Sequence, residues 1–239
     1  MKKLVFALTI MSAAVFANSQ EKKSSKSTES PHAIGLRIGL TTPTYLGGSD
    51  LPSGVTKGIT TGFVAGLIYS YNFSETFSFQ PELLFIQAGY SFNSESNGSK
   101  FTATANWGYV QVPLLAKARF GTDAFKFTLH AGPYIGFATG GKAKLKSEYS
   151  AADKAAGAVD SETESDIKVE KNGLAGIDFG AALGAGVNIG AGPGQFIVDV
   201  RFNIGFTDFI NADPKPTDYK AQTNLIPSLS IGYLLPIGN

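Results

Sequence analysis

Few side chains in this sequence are suited to catalysis. Its 239 residues include no cysteine and two histidines, His32 and His130. Without cysteine there is no thiol nucleophile, no disulfide, no zinc site built on thiolates and no lipid-modified cysteine anchor. Neither histidine has an obvious serine or aspartate neighbour in the loops, where a nucleophilic triad would form. We therefore predict no enzyme, no catalytic residue, no metal site and no cofactor.

Charged side chains are the other candidates for chemistry, and they are sparse and balanced. Lys and Arg number 20 against 19 Asp and Glu, and charged residues make up 16% of the chain, compared with about 25% in soluble domains. This balance provides neither the basic surface of a nucleic-acid-binding protein nor an acidic tail. We predict no nucleic-acid partner.

An alternation of apolar and polar residues predicts the elements that position these side chains. In 125–137 every odd position is apolar, and in 195–207 Phe, Val and Ile occupy the even positions. A strand places alternate residues on opposite faces, whereas a helix scatters them around its axis. Six more segments show the pattern, namely 32–42, 61–73, 77–92, 106–120, 174–190 and 224–237.

The lengths of these eight segments and of their connections indicate a membrane barrel. Most segments exceed the usual strand of about five or six residues and reach the roughly nine to eleven that cross a bilayer. Short turns at 72–76, 121–124 and 190–194 alternate with long loops at 43–60, 93–104, 139–173 and 208–223. The predicted fold class is therefore all-β, an eight-stranded antiparallel transmembrane β-barrel with its short turns in the periplasm.

The composition of the polar face favours a membrane barrel over a soluble lipocalin-type barrel. That face is rich in Gly, Ser, Thr, Asn and Gln, which suit the crowded lumen of eight strands. Aromatic residues near the short turns predict one interfacial belt. A second belt near the long loops is predicted from Tyr90, Phe92, Trp107, Tyr109, Phe137, Phe206 and Phe209. Four prolines within strands predict bulges or kinks, at Pro81, Pro113, Pro133 and Pro227.

The first residues predict export. Lys2 and Lys3 precede an apolar run that is too short for a membrane helix, and small residues follow at a cleavage site. We predict three regions: a cleaved signal peptide at 1–19, a flexible periplasmic segment at 20–31 and the barrel at 32–239. The predicted location is the outer membrane of a Gram-negative bacterium.

Several strand motifs resemble those of the PorT-like "porin family" outer-membrane barrels. They are FQPELLFIQAGYSF at 79–92, YVQVPLLAKARF at 109–120, FTLHAGPYIGF at 127–137 and LSIGY at 229–233. The resemblance covers nearly all of the chain after Pro31. It implies a small eight-stranded barrel of the OmpA/OmpX type and carries no catalytic residues across.

The C-terminal strand is similar to the signal read by the outer-membrane assembly machinery. Ser230, Gly232, Leu235 and Ile237 have the spacing of that short motif. We therefore predict outer-membrane lipid and, during biogenesis, the assembly machinery as partners of a monomeric barrel.

Charged residues on the inward face predict a network in the lumen. Its candidates are Arg37, Glu82, Lys117, His130, Asp178, Asp199 and Arg201. Opposite charges at one level of a narrow lumen should pair, because an isolated buried ion is costly. This favours a polar plug, and a narrow path lined by charge remains the alternative.

The predicted function follows from a plugged lumen and long loops. It is a structural or surface-interaction role, and the loop at 139–173 is predicted to be solvated and mobile, with ligand recognition as its alternative. A narrow small-solute channel is the second hypothesis. The resemblance adds a third, an accessory component of a secretion or assembly machine, and the extracellular ligand is left open.

Overall fold

The computed structural model describes residues 31–122, 124–215 and 217–238. The predicted signal peptide and residues 20–30 lie outside this range. The elements are β1 (His32–Thr41), β2 (Thr44–Gly47), β3 (Val55–Gly58), β4 (Gly62–Asn72), β5 (Phe77–Ser96), β6 (Ser99–Gly121), β7 (Phe125–Glu148), α1 (Ala151–Ala155), β8 (Ser161–Ile167), β9 (Ile177–Ala191), β10 (Gly194–Asp208) and β11 (Gln222–Ile237). No helix in the described part of the chain is long and apolar enough to cross a membrane.

Eight long strands within the described residues pair side by side around a ring. Their order is β1-β4-β5-β6-β7-β9-β10-β11, and β11 pairs in turn with β1. This last ladder is antiparallel and runs from His32↔Ile237 to Thr41↔Ser228. The all-β antiparallel fold class is confirmed. The short strands are added at one end, where β2 pairs with β11, β3 with β5 and β8 with β7.

The two faces of the sheet follow the sequence alternation. In β10, Val198, Val200 and Phe202 are exposed on the outer face, whereas Asp199 and Arg201 are buried inside. The other long strands repeat this arrangement. An apolar surface of this extent on the outside and charges on the inside are the reverse of a soluble barrel, and they suit a wall that contacts lipid.

The loop predicted at 93–104 is wrong. β5 continues to Ser96 and β6 begins at Ser99, so these two strands meet in a hairpin. Asn97 and Gly98 form its turn with φ values of 51° and 80°. Both residue types tolerate this left-handed region, and Asn-Gly is the preferred sequence for a two-residue hairpin turn.

The prediction of an irregular loop at 139–173 is also wrong. β7 runs on to Glu148, α1 follows, and β8 returns antiparallel to β7. Ser150 caps α1 by accepting a hydrogen bond from the Asp153 amide at 3.2 Å. Ser99, at the neighbouring hairpin, accepts a hydrogen bond from the Ser150 amide at 2.8 Å and donates one to Asp153. These hydrogen bonds connect α1 to the hairpin between β5 and β6.

These extensions build a second structure that we call the outer sheet. It consists of β3, β8 and residues 90–96, 99–107 and 141–148 of β5, β6 and β7. Exposed lysines of β7 face acidic residues of β8 across the ladder, and Lys144 Nζ lies 3.1 Å from Glu164 Oε2. Exposed pairs of this kind contribute only about 0.2–1 kcal/mol each. The outer sheet is thus held mainly by its backbone ladders.

The predicted bulges at the prolines are not found. Pairing is interrupted beside Pro81 and Pro113, but the register is the same on both sides of each gap. Pro133 and Pro227 lie within continuous registers. The register shifts occur instead between Gly108 and Tyr109 in β6 and between Ile204 and Asp208 in β10, both near the long-loop end. A missing proline N–H removes one hydrogen bond without moving the strand.

A ring of eight paired strands has no open edge at which detergent can begin to separate the sheet. We expect the purified protein to migrate differently on SDS gels before and after boiling, with a far-UV circular dichroism spectrum dominated by β-structure. Equal mobility in both conditions would contradict a continuous ring.

Candidate functional site: two layers that close the lumen

Four charged side chains from three strands meet in the lumen and form what we call the ionic layer. Arg201 Nη1 donates to Glu82 Oε2 at 2.7 Å, and its Nη2 donates to Glu82 Oε1 at 3.1 Å. Arg37 Nη1 donates to Asp199 Oδ1 at 2.6 Å, and Arg37 Nη2 lies 3.2 Å from Glu82 Oε1. Arg201 Nη2 is 3.4 Å from Asp199 Oδ1. Each carboxylate therefore lies between two guanidinium groups.

Charge balance explains why these ions tolerate burial. All four side chains are at most 2% exposed, and two cations face two anions. Burial removes the hydration of every ion, and only close opposite charges with hydrogen bonds offset that cost. The bidentate fork of Arg201 on Glu82 provides the strongest such geometry.

His130 lies beside this layer and is oriented by it. Arg201 Nε, which is always a donor, contacts His130 Nε2 at 3.3 Å. Nε2 must then be the acceptor, so the proton of the neutral ring is on Nδ1, which faces Asp199 Oδ2 at 3.4 Å. Gly184 gives the ring its space, because a Cβ at that position would lie 2.6 Å from His130 Nε2.

Lys117 joins the layer only through an amide. Gln80 donates to Glu82 Oε1 at 2.6 Å and accepts from Lys117 Nζ at 3.3 Å. Lys117 Nζ also contacts Asn188 Oδ1 at 3.5 Å. No carboxylate in the described residues lies within salt-bridge distance of Lys117, so Gln80 and not a direct ion pair links it to the charge network.

Asp178 belongs to a different group, nearer the long-loop end. Its Oδ2 accepts from Tyr134 Oη and from Asn224 Nδ2, both at 3.0 Å. Asn224 Nδ2 also lies 3.2 Å from Tyr109 Oη. The structure therefore brings together five of the seven predicted network residues directly and Lys117 indirectly, and places Asp178 apart. Depth along the strand, which the sequence pattern does not define well, separates it from the ionic layer.

Aromatic side chains fill the lumen above these polar groups and form what we call the aromatic cap. Trp107 and Phe209 are buried with ring centroids 5.0 Å apart, and Tyr90 contacts Trp107 at 5.8 Å. Tyr45, from β2, lies edge-on to Phe209 at 6.3 Å. Leu174, from the segment before β9, is buried in the same cluster. Loops as well as strands thus contribute to the cap.

The cap corrects the predicted second lipid belt. Trp107, Tyr109 and Phe209 are buried inside the barrel, and Tyr90 and Phe92 pack against the same interior cluster. Phe137 and Phe206 are exposed on the outer face, as a belt requires. The strand alternation could have indicated that Trp107 and Tyr109 face inward, because they share odd positions in β6 with the buried Gln111 and Lys117. Phe209 and Leu174 lie beyond the regular alternation and carried no such signal.

Asp208 pins the last long loop next to the cap. It accepts hydrogen bonds from Tyr219 Oη at 2.7 Å and from Lys215 Nζ at 2.9 Å. Burial raises the pKa of Asp208, but these hydrogen bonds and two from backbone amides outweigh it and leave that pKa below its usual value. The carboxylate is therefore charged at neutral pH and holds the loop in place.

The four residues of the predicted assembly signal lie in the last strand. Ser230 is buried and accepts a hydrogen bond from Arg37 Nη1 at 3.2 Å. Gly232 lies against the Leu36 carbonyl, and Leu235 and Ile237 are exposed on the outer face. Alternation thus continues to the end of β11, while recognition by an assembly machine stays a prediction.

The structure predicts that the hairpin formed by the end of β7, α1 and β8 is not needed for folding of the barrel, whereas the aromatic cap is. Replacing residues 142–166 with a short Gly/Ser linker removes mostly exposed side chains and keeps Ile167, which packs against the cap. We therefore expect the barrel to fold and to keep its heat-modifiable mobility. Leu174→Ala is the matched control, because truncating a buried leucine costs about 2–5 kcal/mol. Urea unfolding should therefore show a larger loss for the point variant than for the deletion. The opposite ranking would mean that the hairpin supports the barrel.

Comparisons with known proteins identify what this architecture is similar to. The family model described as "Outer membrane protein beta-barrel domain" matches residues 16–211. Solved structures that are similar include Neisserial surface protein A, with 12% identity, TM-score 0.43 and coverage of 88% of this chain and 100% of that chain. OprG from Pseudomonas aeruginosa has 13% identity, TM-score 0.48 and coverage of 87% and 98%. Ail of Yersinia pestis has 13% identity, TM-score 0.38 and coverage of 85% and 99%. No curated protein matches the sequence.

Proposed function

The chain belongs to the outer membrane protein beta-barrel domain family and lies in the Gram-negative outer membrane, and we propose that it is a closed, non-conducting barrel. It carries the outer sheet at the cell surface. Its role is structural or surface-interacting and does not involve catalysis. In such barrels the short turns lie in the periplasm and the long loops outside the cell. The outer sheet is therefore extracellular.

This proposal rests on two layers of side chains that block the lumen one after the other. The ionic layer crosses the lumen with Arg37, Glu82, Asp199 and Arg201, and the aromatic cap fills the extracellular half. An eight-stranded barrel is just wide enough to be filled by its own side chains. A solute would have to displace both layers to cross.

The outer sheet supports the surface half of the proposal. Its hairpin presents Lys142, Lys144 and Lys146 opposite Glu162 and Glu164, with side chains that are half exposed. Charged projections on a stable scaffold suit recognition, because segments that connect scaffold strands commonly carry function.

A narrow channel is the second candidate, and one observation favours it. Gln111 and Asn203 are fully buried between the two layers, and none of their side-chain polar atoms has a hydrogen-bond partner in the described residues. Buried polar groups of this kind usually bind water. The PorT-like resemblance supports a third role, as an accessory component of a secretion or assembly machine, which copurification from native membranes would test.

Solute entry into vesicles separates the first two candidates. We expect liposomes that contain the refolded protein to swell in small sugars no faster than protein-free liposomes. Swelling that increases with protein content would favour the channel and contradict the closed barrel.

A further inference from the structure

A polar pocket lies at the periplasmic end of the lumen, beyond the ionic layer. Its lining includes Lys117, Arg119, Gln80, Asn188 and Ser78, and its cavity volume is about 30 Å³. A water needs roughly 10–15 Å³ of such space. The pocket is therefore large enough for a small polar group.

Among the described residues that line this pocket, the charged ones are Lys117 and Arg119. Two cations and two carboxylates of the ionic layer compensate each other, and no aspartate or glutamate is among the described residues that line the pocket. Lys117 is 2% exposed, and its partners in the described residues are two neutral amide oxygens. An uncompensated buried cation is costly, so a site for an anion beside it lowers the free energy of the folded barrel.

Hydrogen bonds hold the two neighbouring amide groups with their oxygens towards Lys117. Gln80 uses its Nε2 to donate to Glu82, and Asn188 uses its Nδ2 to donate to Gln195 Oε1 at 2.9 Å. Both therefore direct an oxygen towards Lys117. These dipoles hold the ammonium group in position, but they carry no net charge to neutralise it.

Two further donors line the same pocket. Ser78 is 1% exposed, and its hydroxyl has no hydrogen-bond partner in the described residues. Arg119 donates through Nη2 to the Ser74 carbonyl at 2.7 Å, which orients its guanidinium group at the rim. The ammonium group of Lys117 and the hydroxyl of Ser78 are donors around one cavity, and together they match the acceptor oxygens of an oxyanion.

We propose that this periplasmic pocket binds a small soluble oxyanion of the phosphate type, with Lys117 as its principal cation. The site is separate from the closures that define the proposed function, and a closed barrel does not require it. All of its lining side chains belong to the inner face of the wall, so the anion enters from the periplasm and not from the surrounding lipid.

Titration with inorganic phosphate tests this site. The whole mature barrel is refolded in an uncharged detergent without lipid, and binding is followed by calorimetry at constant ionic strength. We expect saturable binding to one site. Lys117→Gln should weaken it about ten-fold or more, because it removes a charge-assisted hydrogen bond. Lys142→Gln, which removes an exposed lysine of the outer sheet, should leave the affinity unchanged.

A second variant keeps the test decisive if Lys117→Gln does not fold. Ser78→Ala removes one neutral donor and should weaken binding about two- to five-fold. Heat-modifiable mobility identifies the folded samples. The proposal is overturned if phosphate shows no saturable binding to the wild type, or if the folded pocket variants bind it as tightly as Lys142→Gln does. Neither result depends on whether the lumen conducts.

Discussion

Arg201→Ala is expected to destabilise the barrel by about 3–5 kcal/mol, the usual cost of removing one partner from a buried charge network. The substitution leaves Glu82 with Arg37 as its remaining guanidinium partner and removes a second cation from Asp199. It also removes the donor that fixes the His130 ring. Urea unfolding of the refolded protein in detergent measures the loss.

Val200→Ala provides the control on the same strand. Val200 is 47% exposed on the lipid-facing side, so its truncation should cost much less than the loss of Arg201. If the two variants are equally stable, the ionic layer does not hold the barrel together, and water must screen its charges individually.

Trp107→Ala, in the aromatic cap, should destabilise the barrel by a comparable amount. Trp107 is buried against Tyr90 and Phe209, and truncating a buried tryptophan costs about 3–5 kcal/mol because its cavity cannot be refilled. Unfolding by urea again provides the measurement. Hydrogen exchange at the long-loop end of the barrel should rise more than exchange near Arg37.

Phe206→Ala distinguishes packing inside the lumen from contact with lipid. Phe206 is 62% exposed on the outer face, so detergent or lipid replaces its contacts and the loss should be small. Equal losses for Trp107→Ala and Phe206→Ala would mean that Trp107 lies at the membrane interface, as its position near a long loop first suggested.

The barrel strands were predictable because lipid and lumen impose opposite preferences on alternate residues. The predicted segment 125–137 forms the membrane part of β7, and 195–207 matches β10 within a residue at each end. The outer strands were missed because they lack an apolar face. The sequences KAKLKSE at 142–148 and SETESDI at 161–167 also alternate, but water contacts both sides of much of this hairpin, so its composition is that of a loop.

The candidate site was predictable in part for the same reason. Parity placed Arg37, Glu82, Asp199 and Arg201 on the inner face, and the need to compensate buried charge made their pairing expected. Relative depth was harder to predict, because it depends on the stagger between strands. Lys117 and Asp178 therefore fell outside the ion pairs. The aromatic cap could not be predicted from strand alternation, because Tyr45, Leu174 and Phe209 belong to segments outside the eight strands of the ring.

Single-channel conductance across a planar bilayer tests the closed lumen most directly. The samples are the wild type, Arg201→Ala and Trp107→Ala, with heat-modifiable mobility confirming that each is folded and a known open porin verifying the bilayer. We predict no conductance steps from any of the three, because each single variant retains the other closure. Steady conductance steps from the folded wild type would contradict the account and establish the channel in its place.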